Sequence, residues 1–190
     1  MPPVPVSTDK AGSIDQPVGK CHSPRDHKLR EPCFGFLMST RALRIALYQP
    51  DIAGNTGTIL RMAACLGVTV DIVEPAGFDL SDRALKRAGM DYLEMATLTR
   101  HVSWEAFGAW REKAGRRLVL FTTAAETPYT AFAYRADDIL LFGRESAGVP
   151  ASVHEAADAR LTVPMQSGAR SLNLALCAAM AAGEAIRQTG

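Results

Sequence analysis

Residues that could staple this chain covalently are few: four cysteines in 190 residues, Cys21, Cys33, Cys65 and Cys177, with no CxxC pair and no regular spacing. That excludes a disulfide framework and suits reduced thiols in a cytoplasm. No run of about 18 apolar residues occurs, as a spanning helix would need. The N-terminus has no charged segment followed by an apolar stretch, so a cytosolic location is expected. Charge of one sign is also lacking, with 21 Lys+Arg against 20 Asp+Glu and a net charge of +1. The sum therefore names no partner, and a local basic patch would have to carry any binding to nucleic acid. No GxGxxG follows a strand pattern, and GxxxxGK[ST], HExxH and GxSxG are missing. Dinucleotide, nucleoside-triphosphate and triad-hydrolase readings lose their main support.

What is present is an ordinary globular composition, 47% hydrophobic and 22% charged, which reads as one domain plus a tail. Roughly 150 residues bury about 70% of their unfolded surface, so packing suffices and no metal or disulfide is required. Six of the eleven prolines fall in the first 32 residues, among Gly, Ser, Asp and Lys. Residues 1–40 are accordingly expected to be a disordered leader and residues 41–190 the functional domain. Cys21, His22, His27 and Cys33 are a conceivable zinc cluster, but they lie in this stretch without a flanking strand or helix pattern; no metal is expected.

From Arg44 onward, short apolar runs alternate with helical patterns. Strands are expected at Ile45 to Tyr48, Val68 to Val73, Leu93 to Leu98, Leu118 to Phe121, Ile139 to Phe142 and Leu161 to Val163. Helices are expected over about Thr56 to Leu66, Ser81 to Ala88, from an N-cap at Ser103 to a C-cap at Gly115, and Leu172 to Gln188. The runs at Leu118 and Ile139 are nearly all apolar, as in parallel strands covered on both faces. The last helix places Leu172, Leu176, Ala179, Gly183 and Ile186 on one stripe, facing the sheet or a second subunit, with the sheet favoured. The fold class is α/β, a mainly parallel sheet with helices on both faces.

Three strand-to-helix loops carry the candidate chemistry. In Asn55-Thr56-Gly57-Thr58-Ile59-Leu60-Arg61, Asn55 suits an N-cap. Thr58, Arg61 and Cys65 leave the buried stripe of Ile59, Met62, Ala63 and Leu66. Arg61 is then either a solvated helix arginine or a fixed guanidinium near the C-terminal edge of the sheet, where open α/β sheets bind ligands. In Leu141-Phe142-Gly143-Arg144-Glu145-Ser146-Ala147-Gly148, the glycines permit close backbone approach. Glu145 is either a loop carboxylate in water or a group that orders backbone and ligand. In Val163-Pro164-Met165-Gln166-Ser167-Gly168-Ala169-Arg170-Ser171-Leu172-Asn173, Ser171 can cap the last helix, and Asn173 either sits neutrally in its first turn or points into the crevice.

The set NTGTILR, LFGRESAGVP and VPMQSGARSLNLA, in this order and at these separations, resembles the three motifs of the SPOUT ribose methyltransferases over about Leu43 to Gln188. IALYQPDIAGNTG, IVEPAGF and LKRAGMDYLE are similar to the small single-domain tRNA (cytidine/uridine) 2′-O-methyltransferases that act on the wobble nucleotide. The resemblance implies a C-terminal trefoil knot, which the usual rules of chain connection would not suggest. It implies S-adenosylmethionine as methyl donor without metal, held by Phe121, Thr122, Gly143, Val163, Met165, Ser171 and Leu172. It implies a reaction centre of Arg61, Asn55, Glu145, Ser171 and Asn173. The partners implied are tRNA, leucine tRNAs foremost, and a second copy of the chain in a homodimer. Another tRNA or rRNA nucleotide is the alternative target, and a non-catalytic RNA-binding protein the alternative class.

In that scheme Arg61 activates the ribose hydroxyl. A guanidinium with a pKa above about 12 accepts no proton at neutral pH, so its expected work is to stabilise the forming alkoxide or hold a phosphate. Arg83, Lys86, Arg87, Arg100 and His101 are either a phosphate-binding face or, each by itself, an ordinary solvated residue. Arg144 stands where many relatives carry proline, and the proline-rich leader is foreign to the small enzymes.

Overall fold

The computed structural model describes residues 42–81 and 97–190. The leader, the candidate zinc cluster, the helix at Ser81 to Ala88 and the basic set Arg83, Lys86 and Arg87 lie outside the described residues, apart from Ser81 itself.

β1 (Arg44–Tyr48) leads into α1 (Ala53–Leu66) and β2 (Thr69–Val73), and β3 (Leu98–His101) into α2 (Trp104–Ala114) and β4 (Leu118–Phe121). A short 3-10 turn at Tyr129–Ala131 precedes β5 (Ile139–Phe142), and α3 (Ala151–Ala156), β6 (Ala159–Leu161) and α4 (Leu174–Thr189) complete the order. The strands form one sheet in the order β3-β2-β1-β5-β4-β6, and every pairing is parallel. Every residue of β2, β4 and β5 is buried, as a parallel sheet covered on both faces requires. The edge strands β3 and β6 each carry an exposed arginine, Arg100 and Arg160, which discourages further pairing.

Alternation along the strands sorts the core into two layers. Ile45, Leu47, Val70, Ile72, Leu140 and Phe142 face α1 and α4, packing on Ile59, Leu60, Ala63, Ala178 and Ala182. Ala46, Tyr48, Leu118, Leu120 and Leu141 face Phe107, Trp104 and Trp110 of α2 and Val153 of α3. The one carboxylate on β2, Asp71, is fully buried there and is compensated by Arg44 at 2.6 and 2.9 Å and His101 Nε2 at 2.8 Å. Burial of an ion is tolerable only with such partners.

Several expectations are corrected. Residues 93–96 of the expected third strand lie outside the described residues, and the described strand there is Leu98–His101; the sixth covers Ala159–Leu161, upstream of its expected place. Arg100 and His101 therefore belong to β3: Arg100 pairs with Glu74 at 2.8 Å, and His101 is buried against Asp71 and Phe107. His101 offers nothing to a phosphate. α1 starts at Ala53 with Ile52 as N-cap and no side-chain cap, so Asn55 is inside the helix. The cap of α4 is Asn173, whose Oδ1 accepts from Ala175 N at 2.9 Å and Leu176 N at 3.3 Å, and not Ser171. The buried face of α4 is Ala175, Ala178, Ala181, Ala182 and Ala185, with Ile186 of the expected stripe half-buried beside them. Small side chains let the helix approach the sheet closely, leaving Leu176 57% and Met180 39% exposed on the other side. The Ser103 cap on Ala106 N and the Gly115 terminus of α2, at φ 62°, are as expected. Among the described residues, no helix is long and apolar enough to cross a membrane.

Candidate functional site

The chain leaves β1 for α1 through Gln49–Ile52, and β5 for α3 through Gly143–Pro150. After β6 it crosses to α4, which packs on α1 and β5, so residues 162–173 must run from the edge of the sheet towards its middle. The three loops meet beyond the C-terminal ends of the strands, where a change in winding direction opens a crevice.

Two adjoining cavities occupy it. The larger, about 510 Å³, is lined by Asn55, Thr122, Gly143, Glu145, Ser171 and Asn173 among others. The smaller, about 100 Å³, is walled by Phe121, Phe142, Val163, Met165, Leu172 and Cys177. Every residue expected to hold the methyl donor lines one or both of them. Burial pushes the Cys177 thiol up to about 11, so that wall stays uncharged at neutral pH. Phe121 and Phe142 stack at 4.9 Å between ring centres, which stiffens the floor.

Gly143 shows why the second motif needs glycine. A Cβ there would stand 2.6 Å from the carbonyl carbon of Gly148 and 2.8 Å from its oxygen. The loop closes through reciprocal backbone bonds, Arg144 N to Gly148 O and Gly148 N to Arg144 O, both 2.9 Å. Gly148 itself has φ +66°, where a side chain is disfavoured.

Three of the expected reaction-centre residues are brought into one hydrogen-bonded chain. Asn173 Nδ2 donates to Asn55 Oδ1 at 3.0 Å, and Asn55 Nδ2 donates to Glu145 Oε1 at 3.1 Å. Asp51 N donates to Glu145 Oε2 at 2.9 Å. Each amide has a fixed orientation because Asn173 Oδ1 is spent on the helix cap and Glu145 can only accept. Ser171 lines both cavities. Arg61 does not join them: it is exposed on α1, with Thr58 and Cys65 on the face expected for them, and lines neither cavity. It lies about 9 Å further along the helix axis than Asn55 and on a different face.

Sequence reasoning passed over Asp51. Its carboxylate accepts from Arg144 Nε at 3.1 Å and Nη2 at 2.7 Å on one oxygen, and from the Ser146 N–H at 3.1 Å and hydroxyl on the other. The Arg144 hydrogen bonds, and then those from Ser146, hold Asp51 down at about 2. A turn-rich Pro50-Asp51 after a strand is too common a pattern to have singled it out. His154 and Arg170 also line the larger cavity and were likewise missed, since neither lies at a motif position argued for chemistry.

Residues 42–183 match the model of the SpoU rRNA Methylase family. A protein named tRNA (cytidine(34)-2′-O)-methyltransferase from Beijerinckia indica is 61% identical over 146 residues, 77% of this chain and 91% of that protein. A solved structure described as giving structural insights into the 2-OH methylation of C/U34 on tRNA superimposes with a TM-score of 0.73 at 40% identity, over 79% of this chain and 97% of that one. The SpoU methyltransferase AviRb from Streptomyces viridochromogenes, in complex with the cofactor AdoMet, gives a TM-score of 0.68 at 28% identity, over 76% of this chain and 57% of that one.

Proposed function

The chain belongs to the SpoU methylase family, and from that premise we propose that it transfers the methyl group of S-adenosylmethionine to the ribose 2′-hydroxyl of nucleotide 34, cytidine or modified uridine, in tRNA. Leucine tRNAs are the expected substrates. The observation that carries this reading is the Asn173–Asn55–Glu145 chain of hydrogen bonds standing at a cavity of the right make-up for the donor.

The lining fits that donor: an apolar slot for the adenine beside a polar basin for the ribose and the charged methionine end. Phe121, Thr122, Gly143, Val163, Met165, Ser171 and Leu172 are the residues assigned to hold it, the larger part through backbone groups. When bound, it supplies an electrophilic methyl group on a sulfonium. The chain's own residues align the acceptor. Asn55, Glu145 and Asn173 present donors and acceptors whose directions are set before substrate arrives, so little reorganisation is needed at the moment of reaction, and Ser171 lines the cavity beside them. Arg61, exposed and off the cavity wall, is better suited to grip an RNA phosphate than to touch the reacting oxygen of its own cavity, and the proton leaves to water or to RNA phosphate.

Residues 41–190 serve as the methyltransferase unit. The path from edge strand β6 across the loops of β4 and β5 to α4 supports a trefoil knot, and it explains how residues distant in sequence line one crevice. Leu176 and Met180 are exposed apolar side chains on α4, which supports a homodimer that covers them. The test is incubation with tritiated S-adenosylmethionine and unmodified tRNA. Transfer to a ribose leaves a phosphodiester resistant to alkali. Label on a base, with every linkage still alkali-labile, would overturn the reading.

A further inference from the structure

We infer that Asp51 is a positioning residue for this reaction: by gripping Arg144 and Ser146 on either side of Glu145, it fixes the carboxylate that anchors the hydrogen-bonded chain at the cavity. The inference rests on the methyl-transfer reading and adds to it a residue outside the three motifs. Asp51 makes five hydrogen bonds to three consecutive residues that lie 93 to 95 positions away in sequence. Its Oδ1 accepts from Arg144 Nε and Nη2, its Oδ2 from the Ser146 N–H and hydroxyl, and its own N–H donates to Glu145 Oε2. The β1–α1 loop and the β5–α3 loop are thereby locked together at the point where Asn55, on the first, meets Glu145, on the second.

The exposure of the pair separates positioning from mere stabilisation. Arg144 is 40% and Asp51 19% exposed at the side chain, and ion pairs open to water contribute little to folding stability. Their contribution to geometry is different in kind, because a loop carrying a reacting constellation needs to slip by only about 1 Å to lose roughly 100-fold in rate. Arg144 then has a purpose here: its ion pair with Asp51 holds the loop.

Asp51→Asn keeps the size of the side chain but turns one acceptor into a donor that faces other donors; Arg144→Met removes the other half of the clamp. Both variants and the double variant are to be compared with wild type in single-turnover methylation of tRNA, in calorimetric binding of S-adenosylmethionine, in thermal melting and in amide exchange. Each single variant should slow the chemical step about 10- to 100-fold, while the KM for tRNA and the Kd for S-adenosylmethionine stay within about twofold. The double variant should be no slower than the slower single one, since both changes release the same clamp. Amides of Arg144 to Gly148 should exchange faster in every variant. A folded Asp51→Asn enzyme with the wild-type rate, losses that multiply in the double variant, or a defect confined to KM would overturn the inference. Should wild type itself fail to methylate tRNA, the functional reading falls, and amide exchange in the variants still decides whether the clamp exists.

Discussion

Replacing Gly143 with Ala tests whether the backbone crossing between Gly143 and Gly148 shapes the donor site. The new Cβ would sit 2.6 Å from the Gly148 carbonyl carbon, so the loop must retreat by about 0.8 Å to restore ordinary van der Waals contact. The obstacle is backbone and not the end of a flexible side chain, so retreat stretches the two 2.9 Å bonds that close the loop. Losing both costs about 1–3 kcal/mol, which for a domain of this size lowers the melting midpoint by roughly 3–10 °C. The same movement displaces the wall of the larger cavity and the Glu145 that follows. Binding of S-adenosylmethionine, measured by calorimetry on the folded protein at 20 °C, should weaken about 10- to 100-fold, equivalent to about 1.4–2.8 kcal/mol. A Gly143→Ala protein that binds the donor as wild type does would refute the placement of the site at this crossing.

Asp71→Ala leaves Arg44 and His101 facing a buried void, and should destabilise the fold by about 3–5 kcal/mol in urea unfolding. Methylation by the molecules that remain folded should be unchanged, because none of the three lines either cavity. Thr56 is fully buried and its hydroxyl has no partner among the described residues. Thr56→Val should therefore be neutral or stabilising by up to about 1 kcal/mol, and a clear loss of stability would reveal a hydrogen bond there. Arg61→Ala should reduce methylation by at least about 100-fold while leaving calorimetric affinity for S-adenosylmethionine within about twofold; an active variant would remove Arg61 from the reaction.

The central strands were legible because a parallel sheet covered on both faces demands apolar residues throughout, and Leu118–Phe121 and Ile139–Phe142 have them. The sixth strand was displaced in the reading because Ala159–Leu161 mixes charge with apolar residues, leaving no clean period to follow. The face of α4 was misread for a related reason. Leu172 and Leu176 of the expected stripe are left exposed while the alanines are buried and Ile186 packs half-buried on the core, since small side chains allow the close approach. The motif residues of the cavities were legible through resemblance, whereas the contacts of Asp51 were not: its five bonds go to a loop more than 90 residues away, and no local pattern encodes such a meeting. The caps expected at Asn55 and Ser171 fall elsewhere, because both asparagines are drawn into tertiary hydrogen bonds. Asn55 spends its side chain on Glu145 and Asn173, and Asn173 itself takes the cap expected of Ser171.

The central claim is tested most directly by mapping the product. Total tRNA lacking the modification is incubated with the purified protein and S-adenosylmethionine, digested with nucleases, and sequenced by mass spectrometry. One added methyl group is expected on the ribose of nucleotide 34, in a leucine tRNA, and at least about 100-fold less of it in a reaction with the Arg61→Ala variant. A methyl group on a base, or on the ribose of any other nucleotide, would contradict the claim.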